Sequence, residues 1–280
     1  MQTLLLGYGD IAQRTARLLV KGGHSVTGLC RHPDNKPVID GVQLVTGDYD
    51  NEQDLRQLFD TQWDAVVITL TPSSSGSQRY HDGYVVPCRH LQQVLTQSGQ
   101  QPYIIYVSST GVYAQQDGEW IDETSETAPT SESGQALLQA ESLIDSLPTQ
   151  TTILRCSGIY GEGRDYLLKQ LVAGEMTLRD SWTNRIHQDD VAGFIHALLT
   201  SIKSPQPLYL VSDDEPVKQY DMYQWLAEQL GASITSDVEP GPGPRGSKRC
   251  DNSRLKNSGY KLKYPTFVEG YEAFIDSWSK

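Results

Sequence analysis

Short apolar runs alternate with stretches of helical spacing over the first two-thirds of the chain. Runs at residues 3–6, 25–29, 42–45, 65–70, 103–107 and 151–155 are compact and continuous, the pattern of strands buried on both faces of a parallel sheet. Between the first two runs, Ile11, Ala12, Ala16, Leu18 and Leu19 share a helix face over 11–21, and Gly22-Gly23 closes it. A short helix is predicted at 54–59. Val85, Cys88, Leu91, Val94 and Leu95 predict another over 84–97, with Pro87 in its first turn, where a missing N–H costs little. A further helix is predicted over 136–147. Strand and helix in alternation predict an α/β fold, a doubly wound parallel sheet with helices on both faces. The last third is less regular, with a helix at 189–200, a strand at 208–211 and a helix at 220–230. Pro240-Gly241-Pro242-Gly243-Pro244 is a loop by composition, followed by a basic polar stretch over 245–263, and Ser73-Ser74-Ser75 reads as a flexible loop.

Gly7-Tyr8-Gly9-Asp10-Ile11-Ala12 falls between the first strand and the first helix. In that context it is a variant of the glycine-rich turn of a Rossmann-type dinucleotide-binding domain. Gly7 permits the tight turn, and Gly9 lets the backbone approach a pyrophosphate. The helix start at Asp10 and Ile11 then offers free N–H groups and the positive end of its dipole to the anion. An acid about 20 residues on would hold the ribose 2′-hydroxyl of NAD. The chain has Leu29-Cys30-Arg31-His32 there instead. Arg31 suits a 2′-phosphate, so NADP is favoured over NAD.

Five segments in order resemble an extended or atypical short-chain dehydrogenase/reductase of the NAD-dependent epimerase/dehydratase type. They are the glycine turn, Gly47-Asp48-Tyr49, the segment from Tyr106 to Tyr113, the segment from Leu154 to Gly161, and Arg185-Ile186-His187-Gln188-Asp189-Asp190-Val191. The resemblance implies that Asp48 contacts the adenine and that Cys156 lies near the nicotinamide. Leu70 and Thr71, at the end of the fourth strand, complete the cofactor candidates. It also implies catalysis by a Ser/Thr hydroxyl with a Tyr-x-x-x-Lys pair, the lysine lowering the tyrosine pKa so that the phenol exchanges a proton with the substrate oxygen. Ser109 matches the serine. The pair is missing: Ser133 stands at the tyrosine position and Leu137 at the lysine position, and no other tyrosine or lysine lies between Tyr113 and Glu141. Tyr160 and His187 are weaker catalytic candidates, and Tyr80 and His81 follow the fourth strand. Thr110, Tyr113, Ser133 and Tyr160 are substrate-binding candidates.

The resemblance divides the chain into a dinucleotide-binding domain (1–161 plus about 184–214) and a smaller C-terminal substrate-binding region (162–183 and 215–280). In the latter, Lys248 and Arg249 could meet an anionic substrate or the protein's own acids. Trp120, Trp182 and Trp225 are pocket or core residues. A length of 280 residues allows one large or two small domains, and a net charge of −12 argues against nucleic acid and anionic membrane as partners. Cys30, Cys88, Cys156 and Cys250 contain no C-x-x-C, so neither a metal site nor a redox pair is expected. No leader or membrane span is apparent, which points to reduced thiols in the cytoplasm. The expected partner is a small-molecule substrate. The helices at 84–97 and 136–147 carry the family's dimer contacts, so a homodimer is one expectation. Two function classes remain open. One is an NAD(P)-dependent oxidoreductase or epimerase acting on a hydroxyl or carbonyl of a small metabolite, such as a sugar derivative. The other is a noncatalytic NAD(P)-binding regulator or redox sensor.

Overall fold

The computed structural model describes residues 1–72, 76, 78–234, 238–239, 241–243 and 246–278. The expected Ser73-Ser74-Ser75 loop, and Pro240, Pro244 and Arg245 of the later loop and basic stretch, lie outside the described residues.

Strand β1 (Gln2–Leu6) buries four consecutive residues, as its apolar run requires. It pairs in parallel with β2 (Ser25–Cys30) on one side and β4 (Ala65–Ile68) on the other. β2 carries β3 (Val42–Thr46), and β4 carries β5 (Tyr103–Ser109), again in parallel. With β6 (Thr151–Cys156) and β7 (Leu208–Val211) they form one seven-stranded parallel sheet in the order β7-β6-β5-β4-β1-β2-β3. The order reverses between β1 and β4, the switch point where ligands bind in this architecture.

Alternation along the strands explains the double winding. Leu4, Leu6, Val66, Ile68, Ile104 and Tyr106 share one core with residues of α2 (Glu52–Leu58), α3 (Val86–Ser98) and α4 (Glu132–Asp145). Their neighbours Leu5, Val67 and Ile105 are fully buried too, and they point to the opposite face. α1 (Asp10–Lys21) buries Ile11, Ala12, Thr15, Ala16 and Leu19 in one stripe.

Two departures from the apolar pattern have local causes. α4 starts four residues before its apolar repeat, because Ser131 caps it by accepting from the N–H of Gly134 (3.2 Å) and its first turn is polar. α3 is entered through a π-helical turn, His81–Val85. That turn lies on Pro72, where a Cβ at Gly83 would stand 2.7 Å from the proline Cα.

The chain folds into two compact units. The first comprises Met1–Val112, Thr127–Arg155 and Ala192–Tyr209; the second comprises Tyr113–Glu126, Cys156–Val191 and Leu210–Lys280. The second unit therefore takes in residues 113–126, 156–161, 184–191 and 210–214, which the resemblance placed with the dinucleotide-binding domain. The reason is pairing. Glu119–Ile121 forms a ladder with Lys248–Cys250, and Gly158–Tyr160 forms one with Arg185–His187. Its core gathers Leu168, Leu171, Met222, Leu226, Phe267 and Tyr271 from the helices Tyr166–Ala173, Gln219–Leu230 and Phe267–Glu272. Among the described residues no helix is long and apolar enough to cross a membrane, and no group of three or more His, Cys, Asp or Glu is arranged to hold a metal ion. All four cysteines are buried and unpaired.

Candidate functional site

β1 runs directly into the glycine turn of the first unit. Gly7 has φ +82°, and a Cβ there would stand 2.5 Å from the carbonyl oxygen of Thr69. Both features demand glycine. Thr69 braces the turn from β4's end, its N–H donating to Leu6 O (2.9 Å) and its hydroxyl to Gly7 O (2.5 Å). Gly9 caps α1 without a side chain, and a Cβ built on it meets nothing within 4 Å. The fold does not need a glycine there. What glycine preserves is open space in front of the first N–H groups of α1, where an anion would sit. Asp10 is held by Arg14 (2.9 Å) and Ile11 turns into the core, so these two offer backbone N–H groups rather than side chains.

A cleft of about 290 Å³ runs along this turn. It brings together Gly7, Gly9, Arg31 and Thr71, as well as Lys36 and Tyr49. Asp48 sits beside it, its carboxylate 3.9 Å from the Arg31 guanidinium. Leu70 faces the core. His32, Asn35 and Lys36 also line the cleft, around the 3-10 turn Pro33–Asn35. They were missed, although basic residues repeating just after β2 were a usable signal. Burial, and then the nearby Asp48, push the carboxyl of Asp50 up to about 6, with Arg31 opposing.

At the end of β5 the two serines differ. Ser108 is buried and donates to Glu141 (2.5 Å), which in turn pairs with Arg155 (2.8 Å). Ser109 is half-buried, and its hydroxyl accepts from the N–H of Gly111 (3.1 Å). Thr110 is half-buried on the turn that follows. On α4, Ser133 is half-buried with its hydroxyl 3.4 Å from that of Ser131, and Leu137 is buried. Tyr80 is half-buried, its ring stacked on Tyr84 and beneath the guanidinium of Arg79, which donates to its hydroxyl. His81 is half-exposed beside Asp82 (3.2 Å).

The remaining candidates lie in the second unit. The Tyr113 hydroxyl donates to Asp122 O (2.9 Å). Tyr160 is 2 % exposed, stacks on Tyr271 at 4.5 Å between ring centres, and donates to Thr266 O (3.3 Å). Burial raises its hydroxyl far above the usual phenol range. His187 is buried between Tyr160 and Tyr264, and its Nδ1 accepts from the N–H of Asp189 (3.1 Å). Cys156 is fully enclosed, and burial pushes its thiol up to about 12. Lys248 is buried and donates to Tyr113 O (3.0 Å). Arg249 donates to Gly118 O (2.7 Å) and stacks between Trp120 and Trp182. Trp225 packs edge-on against Phe267 in the core. A second, open cavity, about 590 Å³, is lined by residues of this unit, among them Arg164, Asp165, Arg179, Arg185, Tyr160 and Tyr271.

Residues 7–202 match the NAD(P)H-binding family. No curated protein matches the chain. Among solved structures, the chain is similar to a protein from Methylobacillus flagellatus classed with the NAD-dependent epimerase/dehydratases. The identity is 34 %, with 99 % of this chain and 98 % of that chain covered and a TM-score of 0.83. At 18 % identity it shares the fold of the Bordetella bronchiseptica enzyme WbmG, solved with NAD and UDP (98 % and 94 % covered, TM-score 0.82). At 20 % it shares that of the Thermus thermophilus UDP-glucose 4-epimerase, solved with NAD (99 % and 98 % covered, TM-score 0.80). With its glycine turn, its sheet order and these similarities, the chain belongs to the NAD(P)-binding NAD-dependent epimerase/dehydratase family of short-chain dehydrogenase/reductases.

Proposed function

We propose that the protein is an NAD(P)-dependent oxidoreductase or epimerase that acts on a hydroxyl or carbonyl of a small metabolite, a sugar derivative, with NADP favoured over NAD. The observation that carries this reading is the cleft at the glycine turn, which joins an open helix N-terminus to the cations Arg31 and Lys36 with no acid at the end of β2. Its residues suit a dinucleotide: the N–H groups of α1 face the pyrophosphate, and Arg31, with Lys36 beside it, faces a 2′-phosphate. The bound nicotinamide would supply or accept hydride. Ser109 would hold the substrate oxygen through its half-buried hydroxyl. With no phenol on α4, Tyr80 is the proposed acid; its hydroxyl accepts from the permanently charged Arg79. Fold neighbours that hold UDP or are UDP-glucose epimerases support a sugar-derived substrate.

A noncatalytic regulator is the second reading, and Leu137 and Ser133 on α4 favour it. Thermal denaturation with NADPH, NADP, NADH and NAD tests the first. A ligand that binds only the folded chain stabilises it by about 2.7 kcal/mol at a hundredfold excess over Kd. A larger shift with the phosphorylated pair, lost in Arg31→Asp, is the expected result. No shift with any of the four overturns the cofactor assignment. A shift with no turnover across a panel of sugar derivatives moves the assignment to the regulator.

A further inference from the structure

We propose that Asp50 is a specificity-determining residue of the cofactor cleft: its carboxylate competes with the 2′-phosphate of NADP for Arg31, so the preference for NADP over NAD strengthens when Asp50 takes up a proton. The proposal rests on the cofactor reading above and names what regulates the selectivity of that cleft.

The walls of the cleft carry one sign of charge. Arg31 and Lys36 line it, and among the described residues that do so none is an acid. Negative charge reaches it through Arg31. The Asp48 carboxylate stands 3.9 Å from that guanidinium, and Asp50 interacts with the same cation. Such coupling is reciprocal: Arg31 favours the ionised form of Asp50, so ionised Asp50 engages Arg31 to the same extent. A 2′-phosphate must share the guanidinium with these acids, whereas NAD presents a hydroxyl there and makes no such demand.

Backbone bonds place both acids. The Asp48 N–H donates to Asp54 Oδ2 (2.8 Å), and the Asp50 N–H donates to Asp48 Oδ1 (3.2 Å). Between them the Tyr49 hydroxyl donates to Thr71 O (3.1 Å), across to the end of β4. Gly47 lets the loop close on β2 and α2, since a Cβ there would stand 2.9 Å from Leu29 Cδ1 and 3.2 Å from Asp54 Oδ2.

Asp50 is the acid arranged to change its charge. It is half-buried, and its Oδ1 is enclosed with no hydrogen-bond partner among the described residues. A carboxyl oxygen so placed disfavours the ionised form. The charged groups acting on it are Asp48 on its own loop, Arg31 at the end of β2 and Asp82 on the π turn, two acids against one cation. Burial first, and then Asp48, hold its carboxyl up at about 6.

The test is calorimetric titration of the full-length protein with NADP and with NAD, near pH 5 and near pH 8, at fixed ionic strength. A phosphate monoester itself titrates near pH 6. Wild type and Asp50→Asn are therefore compared at each pH, which cancels that contribution. Near pH 8, Asp50→Asn should raise the ratio of NADP to NAD affinity about threefold or more. Near pH 5 the two ratios should agree, because Asp50 is then protonated in the wild type. Asp50→Ala is carried alongside and should behave in the same way. In an Arg31→Gln background, Asp50→Asn should lose most of its effect. A ratio unchanged near pH 8, or raised equally at both pH values, overturns the proposal. So does a full effect without Arg31, which would mean direct repulsion of the phosphate. Binding of NADP with unaltered selectivity refutes this proposal alone. A wild type that binds neither NADP nor NAD refutes the cofactor assignment and the proposal with it.

Discussion

Gly7 and Gly9 are two residues apart in one turn, yet the fold requires only one of them. Gly7 has a left-handed backbone and a carbonyl 2.5 Å from where a Cβ would sit. Gly7→Ala should therefore cost the fold about 1–2 kcal/mol from φ alone, seen as a drop in Tm. Gly9→Ala meets no protein atom, so its Tm without ligand should stay near wild type. Its NADPH affinity should fall, because the added methyl occupies the space in front of the helix N–H groups. Equal losses of Tm in the two variants would remove the distinction. Asp50 gives a pH signature. Burial raises its folded pKa to about 6 from 3.8, so the folded chain binds this proton more tightly than the unfolded chain. The associated stability is present below about pH 4 and is lost as pH rises toward about 6. Thermal unfolding of Asp50→Asn should match wild type near pH 3.5 and gain over it up to about pH 6, then level off. Much of this scale was legible in the sequence: Gly7, Gly9 and Arg31 announce themselves by type and spacing. Arg185 did not, since its string reads as the entry to a helix. Only the packed structure shows this cation buried on the wall of a cavity.

At the scale of elements, α4 is tied to β5 and β6 by one buried network, Ser108–Glu141–Arg155. Glu141 occupies the turn of α4 just beyond Leu137, so a charged group does remain on this helix, serving the fold. Glu141→Ala would remove the buried carboxylate that Ser108 and Arg155 share, at a cost of about 3–5 kcal/mol by denaturant unfolding. Replacing the pair together, Glu141→Leu with Arg155→Met, should recover most of that loss. A deficit equal to the sum of the single changes would show that the ion pair itself stabilises the fold. Legibility here followed length. α1, α3 and the sheet strands carry enough apolar repeat to be placed within a few residues. The two- and three-residue ladders of the second unit carry no period at all, and the π turn at His81–Val85 depends on the close approach of Gly83 to Pro72.

For the whole molecule, each unit is assembled from three separate stretches of chain, so the backbone passes between them five times. Limited proteolysis should accordingly yield no single fragment that retains the cooperative unfolding of either unit. A stable fragment spanning 1–155 would contradict this. The same interleaving has a consequence during synthesis. β6 lies between β5 and β7 in the sheet, but β7 leaves the ribosome roughly 50 residues later. At cellular elongation rates that is about 3–10 s with one side of β6 unpaired. β6 buries five of its six residues in the finished sheet, which makes its bare edge a template for mispairing. The nascent chain thus passes through an interval of greatest risk set by gene order rather than by final stability. Changes that slow translation between codons 157 and 208 should raise the insoluble fraction on expression, even when the amino-acid sequence is untouched.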